Sequence, residues 1–464
     1  MAPLNILSLN VQGLNTPQKR TKAFRYFQAK KAHVICLQET HFTPTATPKY
    51  YNASYPQVYT ASASVKKRGT LIAFHKTTPF TLKTEIKDPE GRYIILTGYI
   101  MDTAVTIVSY YAPNINPLSF MSHLFQAIEA HKVGSLFVCG DSNQVLLPFL
   151  DKMPYSPPKN QAKWNFANLL AKYKLVDTWR ETNPTKRNYT YFSNPHQSFS
   201  RIDHIILTTG MLPEVLASSI IPIPWSDHNA VLTTIASAIP KNHDPTWYLP
   251  EILLKHPTYC LVIERSLKEY LELNATPEIS PLTLWEAHKP VLRGTLQRQL
   301  GILKRDRKQF AKNLETEHNL AFLAFQQNHT PNSKARLDKA RLEYDLFLTD
   351  SADKTLLMSK HAFYKNANKP GTNLARALNS INKTYNPIRL KIANKNISSN
   401  PIKIVQKFSS HLKKLYSETN SFNETEANSF YSQIKLPQLN EAQKSQLDET
   451  ITQEDVATAI KDLK

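Results

Sequence analysis

The sequence predicts a layered α/β domain, in which two β-sheets pack as a sandwich flanked by helices, followed by a mostly α-helical region. From Leu4 to about Ile235, short apolar runs rich in β-branched residues alternate with turn residues, and helical stretches lie between some of them. Beyond residues 237–250 these runs give way to a Lys-, Leu-, Glu- and Asn-rich texture with helical periodicity.

Eight short runs in the first half have the composition and length of β-strands. In chain order they are LNILSLNV, HVICLQ, TLIAF, YIILTGYI, VTIVSYYA, SLFVCGD, RIDHIIL and AVLTTI. Helical patterns over residues 17–31 and 120–131 lie between some of these runs. Strands that alternate with helices indicate an α/β or α+β layered domain.

The second half has the pattern of two long helices folded into a hairpin. Apolar residues recur three, four or seven positions apart on both sides of the breaker NHTPN. They are Leu292, Leu296, Leu300, Leu303, Phe310 and Leu314 before the breaker, and Leu337, Ala340, Tyr344 and Phe347 after it. We therefore expect a sandwich domain over residues 1–237, a linker with short helices over 238–280, and a helical region over 281–464.

The charge of the chain favours a polyanionic partner. Its 57 Lys and Arg residues against 37 Asp and Glu residues give a formal net charge of +20, and the pI is near 9.6. Such a field attracts nucleic acid over about a Debye length. Basic residues are also common on solvated helix faces, so charge alone does not separate a nucleic-acid-binding protein from a basic soluble one.

The cysteines indicate a reducing intracellular compartment, the nucleus or the cytoplasm. Cys36, Cys139 and Cys260 are too few and too widely spaced for a disulfide framework or a zinc ribbon. The N-terminus has no signal-peptide pattern, and no run approaches the about 18 apolar residues of a membrane span. We expect a soluble protein without a membrane partner.

Polar side chains suited to phosphodiester hydrolysis recur at the ends of predicted strands. Such hydrolysis needs phosphate charge to be neutralised, a water to be activated and a leaving oxygen to be stabilised. Asn10 and Glu39 end the first two predicted strands, where a carboxylate beside an amide would suit Mg²⁺. Asp141 and Asn143 follow a later strand, with Gly140 permitting a sharp turn. Taken singly, a surface Glu and a GDSN turn are ordinary features.

A further acid lies inside a predicted strand. Asp203 is flanked by apolar residues, and burial there would demand a partner for its charge. His228 can be that partner, because a carboxylate favours the charged imidazole and fixes its tautomer, and a protonated His228 can contact a phosphate. Tyr111 follows another strand, and its hydroxyl can position phosphate or water. The alternative is a structural Asp, an unrelated loop His and a packing Tyr.

Missing motifs exclude several enzyme classes. The chain has no GxSxG elbow of a serine hydrolase, no GxxxxGK[ST] phosphate-binding loop and no Cys/His cluster with zinc spacing. Polymerase carboxylate motifs such as YADD or FADD do not occur either, so the chain as given is not expected to copy RNA.

Read in order, SLNVQGLN, LQETH, YYAPN, GDSN, SRIDHI and SDH resemble the motif series of the endonuclease/exonuclease/phosphatase superfamily, whose fold is a four-layered α/β sandwich. Its members are metal-dependent phosphodiesterases. Together with YTYFS, the first two motifs look especially like the apurinic-type endonuclease that begins the second open reading frame of long interspersed, non-LTR retrotransposons. The helical remainder resembles the linker before reverse transcriptase in such elements, and ITQEDVATAIKDLK looks like the approach to that polymerase, as in a truncated element protein.

The resemblance implies a metal ligand and a water-activating group. Glu39 would hold Mg²⁺, with Mn²⁺ as an alternative ion, and Asn10 and Asp227 would lie beside the metal. Asp141 would activate water, while Asn143 would orient that water and the phosphate.

The resemblance also implies groups that act on the phosphate. Asp203 and His228 would form a carboxylate-imidazole pair, and Tyr111 would contact the phosphate region. Thr190 and Ser226 match positions expected to touch DNA or to support the site.

Two positions depart from the family pattern. Gln12 stands where several repair-type relatives have an acid, which weakens the case for a second tightly held metal. Ser142 replaces the usual aromatic residue of GDFN, which predicts looser packing beneath Asp141 and Asn143.

The expected function is therefore a magnesium-dependent DNA endonuclease that nicks target DNA and exposes a 3′ hydroxyl for retrotransposon integration. DNA is the expected partner, and element RNA is a second candidate partner for the basic helical region. One alternative keeps the fold but acts on RNA or on phospholipid headgroups, since fold does not fix function. The other is a non-catalytic element remnant that binds nucleic acid. The basic charge and the YTYFS match favour nucleic acid over lipid.

Overall fold

A computed structural model of the chain describes residues 2–45, 54–155, 165–239, 253, 257–366, 390–393, 396–398, 400–417, 424–433, 439–448, 450, 452–454, 456 and 458. Most of the segment 237–250, where we expect the domain boundary, lies outside the described residues, as does most of the C-terminal ITQEDVATAIKDLK.

Among the described residues of the first half of the chain, strands outnumber helices. In chain order they are β1 (Ala2–Asn10), β2 (Val34–Gln38), β3 (Gln57–Ala61), β4 (Thr70–Phe74), β5 (Phe80–Lys87), β6 (Tyr93–Ile100), β7 (Thr103–Tyr111), β8 (Ser135–Asp141), β9 (Lys152–Met153), β10 (Leu175–Asp177), β11 (Tyr191–Ser193), β12 (Ser198–Ser200), β13 (Asp203–Thr208), β14 (Val215–Ile221) and β15 (Ala230–Ile239). The helices between them are α1 (Pro17–Ala29), α2 (Pro117–His131), α3 (Pro148–Asp151), α4 (Phe166–Lys172) and α5 (Thr178–Thr182), with a 3₁₀ turn at Thr209–Glu214.

The two six-stranded sheets have the same arrangement of parallel and antiparallel strands. Their strand orders are β14-β15-β1-β2-β4-β3 and β10-β13-β8-β7-β6-β5, and β11, β12 and β9 form a small third sheet. In each large sheet only the central pair is parallel, β1 with β2 in one and β7 with β8 in the other. The carboxyl ends of a parallel pair lie at the same edge of the sheet, which brings the residues that follow them together.

Three apolar clusters separate four layers. Ile6 of β1 and Ile107 of β7 face the central cluster between the two sheets. Their neighbours Leu7 and Val108 face outward, the first into a cluster with α1 and the second into a cluster with α2 and α4. This alternation follows from the pleat of a strand. The prediction of a four-layered α/β sandwich is confirmed.

Gly140 lies inside β8, so the sharp turn predicted at this position is wrong. A Cβ atom here would lie 2.0 Å from the carbonyl oxygen of Tyr110 on the parallel strand β7. The glycine is needed because the two strands approach closely beside Asp141.

The second half is mostly helical, as predicted. Helix α6 (Pro257–Asn274) precedes the hairpin of α7 (Pro281–Gln327) and α8 (Pro331–Asn366). The side chain of Ser280 caps α7 by accepting a hydrogen bond from the N–H of Thr283 at 3.2 Å. A strand pair, β16 (Leu390–Ala393) with β17 (Asn396–Ser398), and helices α9 (Pro401–Ser417), α10 (Glu424–Gln433) and α11 (Glu441–Asp448) follow.

The hairpin and the sandwich belong to one compact unit, Met1–Ile404, and Val405–Lys464 form a second unit. Within the first unit α8 packs against α1, and Tyr344 of α8 joins the apolar cluster that contains Phe24 and Phe27 of α1. The division into domains at residues 237 and 280 stays a prediction. None of the described helices combines the length and the apolar character needed to span a bilayer.

Candidate active site

The two central parallel strand pairs meet at one edge of the sandwich. Asn10 is the last residue of β1 and pairs with Gln38, the last residue of β2, which Glu39 follows. Tyr111 is the last residue of β7 and pairs with Asp141, the last residue of β8. Asn10 Nδ2 lies 3.2 Å from Asp141 Oδ2, so the two sheets are joined at these strand ends.

Asn10 links two carboxylates. Its buried Nδ2 donates to Glu39 Oε1 at 2.8 Å as well as to Asp141 Oδ2. Its Oδ1 accepts a hydrogen bond from the N–H of Gln12 at 3.1 Å, which fixes the amide plane. The carboxylates from the two sheets are therefore held on either side of one amide.

The GDSN loop holds Asp141 in place. The N–H of Asn143 donates to Asp141 Oδ1 at 2.9 Å, and Asn143 Nδ2 donates to the carbonyl oxygen of Ala112 at 2.7 Å. Asn143 has φ +49°, in the left-handed region that Asn tolerates better than most residues. Ser142 is buried, and its hydroxyl lies 2.9 Å from the carbonyl oxygen of Ile202. Polar contacts thus occupy the position for which we predicted looser packing.

Asp203 and His228 form a buried pair beside Asp141. Asp203 begins β13, rather than lying inside a strand as predicted, and it pairs with Asp141 in the ladder with β8. His228 Nδ1 donates to Asp203 Oδ2 at 2.9 Å, and its Nε2 lies 3.9 Å from Asp141 Oδ2. The ring of Tyr191 lies 4.7 Å from the imidazole, centroid to centroid. One donor atom from each of Asp141, Asp203 and His228 lies within 4.8 Å of the others.

Burial and mutual charge shift the protonation of these groups. Burial and the charge of Asp203 raise the pKa of Asp141 to about 7. Burial alone would lower the pKa of His228, but the carboxylate of Asp203, assisted by Asp141 and Asp227, raises it to about 10. The imidazole is therefore protonated at neutral pH. With Nδ1 bound to Asp203, it presents Nε2–H on the side of Asp141.

Glu39 is ionised and fixed by its neighbours. Its backbone has φ +54°, a conformation that costs free energy for a residue other than glycine and is often found at functional sites. His41 Nε2 lies 3.3 Å from Glu39 Oε2. Burial would raise the pKa of Glu39, but hydrogen bonds from His41, Asn10 and the hydroxyl of Tyr111 lower it.

Glu39 and Tyr111 line an open groove of about 700 Å³. Five side chains that can carry positive charge line it, namely His41, Lys67, Arg68, Arg92 and His123. Glu90 accepts from Arg68 at 2.7 Å and from Arg92 at 2.8 Å, which holds the two guanidinium groups together. The lining of the groove therefore has more basic than acidic side chains, and Glu39 is part of it.

The SDH segment supplies Ser226 and Asp227 beside His228. Asp227 is exposed, and its charge contributes to the raised pKa of His228. Ser226 is buried, and its Oγ donates to the carbonyl oxygen of Asn10 at 2.7 Å and accepts from the N–H of His228 at 3.3 Å. Ser226 therefore ties His228 to the end of β1.

Thr190 is buried beneath the pair. Its Oγ1 accepts hydrogen bonds from the N–H groups of Ile202 and Asp203 at 3.1 and 3.2 Å. The hydroxyl groups of Thr190 and Ser226 are thus used within the protein, which favours a supporting role over a DNA contact for both residues.

Sequence reasoning missed a buried charge network next to the site. Arg201 is fully buried and lies 2.8 Å from Asp151 Oδ1 and 2.9 Å from Asp177 Oδ2. His204 Nδ1 lies 2.6 Å from the same oxygen of Asp177. The position of Arg201 in SRIDHI, two residues before Asp203, was the available signal, because a charged residue beside a buried strand demands partners.

The donor groups fit a hard divalent cation. Glu39 and Asp141 supply carboxylate oxygens, the ligands that Mg²⁺ prefers. Asp203 Oδ1 is buried without a hydrogen-bond partner among the described residues, and the charges of Asp203 and Asp141 oppose each other. A nearby cation would relieve that repulsion.

Known proteins resemble this chain over about half of its length. The model of the "Endonuclease/Exonuclease/phosphatase family" matches residues 5–228. The "Transposon TX1 uncharacterized 149 kDa protein" of Xenopus laevis is 26% identical over 249 residues, which make up 51% of this chain and 19% of that protein. The chain therefore spans less than a fifth of the length of this relative.

Three solved structures are similar to this chain at a TM-score of 0.42 each. The Xenopus laevis APE2 catalytic domain is 20% identical, with 50% of this chain and 94% of that chain covered. The AP endonuclease LMAP from Leishmania major is 16% identical, with 51% and 89% covered. An AP endonuclease from Archaeoglobus fulgidus is 18% identical, with 50% and 100% covered.

Proposed function

The chain belongs to the endonuclease/exonuclease/phosphatase family through residues 5–228, and we propose that it is a magnesium-dependent endonuclease that nicks DNA. The observation that carries this proposal is the convergence of Glu39, Asp141 and His228 at one edge of the sandwich. Two carboxylates, a bridging amide and a protonated imidazole are groups that phosphodiester hydrolysis can use.

We assign the metal to the Glu39 side of the cleft. His228 is a poor ligand, because a protonated imidazole carries hydrogen on both nitrogens. Glu39 would hold Mg²⁺, or Mn²⁺ in its place, with Asn10 beside it and Asp227 nearby. When bound, the cation would neutralise charge on the phosphate and stabilise the leaving oxygen.

Asp141 would take the proton of the attacking water. A pKa raised to about 7 makes this carboxylate a stronger base than an ordinary Asp while leaving much of it ionised at neutral pH. Asn143 fixes Asp141 through its N–H and would orient the phosphate with Tyr111. His228, held by Asp203, would direct Nε2–H at a phosphate oxygen and stabilise the charge that grows there.

DNA is the substrate that the surface charge favours. The groove that Glu39 helps to line has more basic than acidic side chains, and the chain carries a net charge of +20. The relative in Xenopus laevis is a transposon protein. We therefore propose that the strand break exposes a 3′ hydroxyl that primes integration, that residues 281–464 contact element RNA, and that the protein acts in the nucleus or the cytoplasm.

Turnover on duplex DNA, poly(A) RNA and inositol phosphates at one Mg²⁺ concentration tests the substrate. We expect cleavage of duplex DNA and little turnover of the other two. Faster cleavage of RNA or of inositol phosphates would favour another substrate on the same fold. Salt-dependent DNA binding without cleavage of any substrate would favour a non-catalytic element remnant.

Glu39→Gln is expected to raise the Mg²⁺ concentration needed for half-maximal nicking by roughly 10- to 100-fold, because it removes a ligand charge while keeping the side-chain shape. Titration of the nicking rate with Mg²⁺ measures the change. Glu129→Gln is a matched control, since Glu129 lies on the outer helix α2 and contacts Lys132. An unchanged Mg²⁺ requirement in Glu39→Gln would remove Glu39 from the metal site.

The rate of nicking is expected to rise towards neutral pH and to fall as the pH approaches about 10, because Asp141 must be ionised and His228 protonated. A bound cation stabilises the ionised form of Asp141, so the acidic limb of the pH–rate profile should lie at lower pH when Mg²⁺ is bound.

Asp203→Asn removes the main charge that raises the pKa of His228, so the alkaline limb of the pH–rate profile should move to lower pH. Initial rates measured over the full pH range check this, and an alkaline limb that stays in place would contradict it.

A further inference from the structure

The hairpin of α7 and α8 contacts the sandwich next to the segment that carries His228. On α1, Lys22 is buried and its Nζ lies 2.7 Å from Asp345 Oδ1 of α8. Tyr344 of α8 lies in the same apolar cluster as Trp225, three residues before His228. Because charged and apolar contacts both support this packing, α8 has a fixed position relative to the loop between β14 and β15.

Arg341 of α8 binds that loop directly. Its Nε donates to the carbonyl oxygen of Pro224 at 2.7 Å, and its Nη2 donates to the carbonyl oxygen of Ser226 at 2.6 Å. A guanidinium presents its donors in a rigid fork, so two hydrogen bonds to carbonyls two residues apart fix the orientation of the loop as well as its distance.

Two hydrogen bonds connect the loop to the site, so the position that Arg341 gives to the loop also affects the site. Ser226 Oγ donates to the carbonyl oxygen of Asn10 at 2.7 Å, and the N–H of His228 donates to Ser226 Oγ at 3.3 Å. A displacement of Ser226 therefore displaces both His228 and the end of β1. Arg341 touches neither the imidazole nor the carboxylates in these contacts, so its effect on them is transmitted through the loop.

The hairpin also supports the other flank of His228. Phe325 of α7 lies 5.2 Å from Phe192 and 5.5 Å from Phe199, measured between ring centroids, on strands β11 and β12. Tyr191, the neighbour of Phe192, forms an antiparallel bridge with His228 and packs against its ring. The loop that carries His228 and the strand that packs against its ring are thus both in contact with the hairpin.

We propose that Arg341 is a positioning residue of the endonuclease, and that the helical hairpin is a structural part of the catalytic unit. Arg341 fixes the carbonyls of Pro224 and Ser226 so that His228 keeps its position between Asp203 and Asp141. The inference rests on the proposed function for its effect on catalysis, whereas its effect on loop order is independent of that function.

The full chain with Arg341→Met tests this, against Arg336→Met as the matched control. Arg336 lies on the same helix and pairs with Glu317 across the exposed side of the hairpin. We expect Arg341→Met to lower kcat for nicking by about 10- to 100-fold, as expected for a misplaced catalytic group, with KM for DNA within about twofold. Arg341→Lys keeps the stem and the charge but not the fork, so an intermediate kcat is expected.

Amide hydrogen exchange over residues 222–232 is the second measurement. The N–H groups of His228 and Asn229 donate to Ser226 Oγ and to the carbonyl oxygen of Thr190, so their exchange should accelerate in Arg341→Met and stay unchanged in Arg336→Met. Unchanged exchange, or a raised KM with normal kcat, would overturn the proposal.

If the wild-type chain makes no nick, the proposed function fails, while amide hydrogen exchange still decides whether Arg341 orders the loop. If Arg341→Met does not fold, Arg341→Lys supports both readouts.

Discussion

Asp141→Asn is expected to lower the rate of DNA nicking by about 10²- to 10⁴-fold, the range that a general base contributes. The substitution keeps the shape of the side chain, but its amide has one oxygen for the two hydrogen bonds that Asp141 accepts from Asn10 and Asn143. It also removes the group that accepts the proton of water. Single-turnover nicking at saturating Mg²⁺ measures the loss with the least influence from binding.

The same substitution should leave folding stability unchanged or higher at neutral pH. The pKa of Asp141 is raised to about 7 in the folded protein, so ionisation of this carboxyl group lowers the stability of the fold as the pH rises from the ordinary range of an Asp pKa to about 7. An amide resembles the neutral form at every pH. Asp350→Asn, on the exposed face of α8, is the matched control for loss of one acid. A large loss of stability would show instead that the charge of Asp141 supports the fold.

Arg201→Met is expected to lower the free energy of unfolding by about 3–5 kcal/mol, because removal of one partner leaves buried charges uncompensated. Arg201 has no solvent exposure and holds both Asp151 and Asp177. Burial would raise the pKa of Asp177, but Arg201 and His204 lower it, so the carboxylate stays charged. Urea unfolding followed by tryptophan fluorescence and circular dichroism measures the change.

Two further variants serve as controls for the predicted loss of stability in Arg201→Met. Arg336→Met removes an exposed arginine and should change stability by no more than about 0.5 kcal/mol. Asp177→Asn together with Arg201→Met removes charges of both signs, so it should be less destabilised than the sum of the single variants. A loss of less than about 1 kcal/mol in Arg201→Met would contradict the view that this network holds the strands below the site.

Most of the fold could be predicted because inner strands carry a strong apolar signal. The eight predicted runs correspond to β1, β2, β4, β6, β7, β8, β13 and β15, which are the inner strands of the two large sheets. The edge strands β3, β5, β10 and β14 were missed. An edge strand pairs on one side and is partly exposed, as β5 (Phe80–Lys87) and β14 (Val215–Ile221) show, so its sequence lacks a continuous apolar run.

The candidate site could be predicted in outline because its polar residues interrupt or follow apolar strands. Asn10, Glu39 and Asp141 could be identified because they stand at the ends of apolar runs. The ordered series of motifs assigned His228 to the same site. Their chemical roles stay predictions. What the sequence could not indicate is which side chains meet across long separations, such as Asn10 with Asp141.

The contacts between the hairpin and the sandwich could be predicted from the sequence even less well than those within the site. Leucine and phenylalanine spacing predicts that α7 and α8 form, because periodicity is a local property. Their attachment to the sandwich depends on single contacts such as Arg341 with Ser226 and Lys22 with Asp345, which join residues more than 100 positions apart. A basic residue on a long helix is usually solvated, and only the folded chain distinguishes Arg341 from its neighbours.

Nicking of a supercoiled plasmid by the full chain is the most direct test of a cation-dependent site at the ends of the central strands. With Mg²⁺ present, the wild-type chain should convert supercoiled DNA to open circles, EDTA should stop the reaction, and Asp141→Asn and His228→Ala should lose it. Equal nicking by the wild type and by either variant, or no nicking by the wild type at any Mg²⁺ concentration, would contradict this assignment.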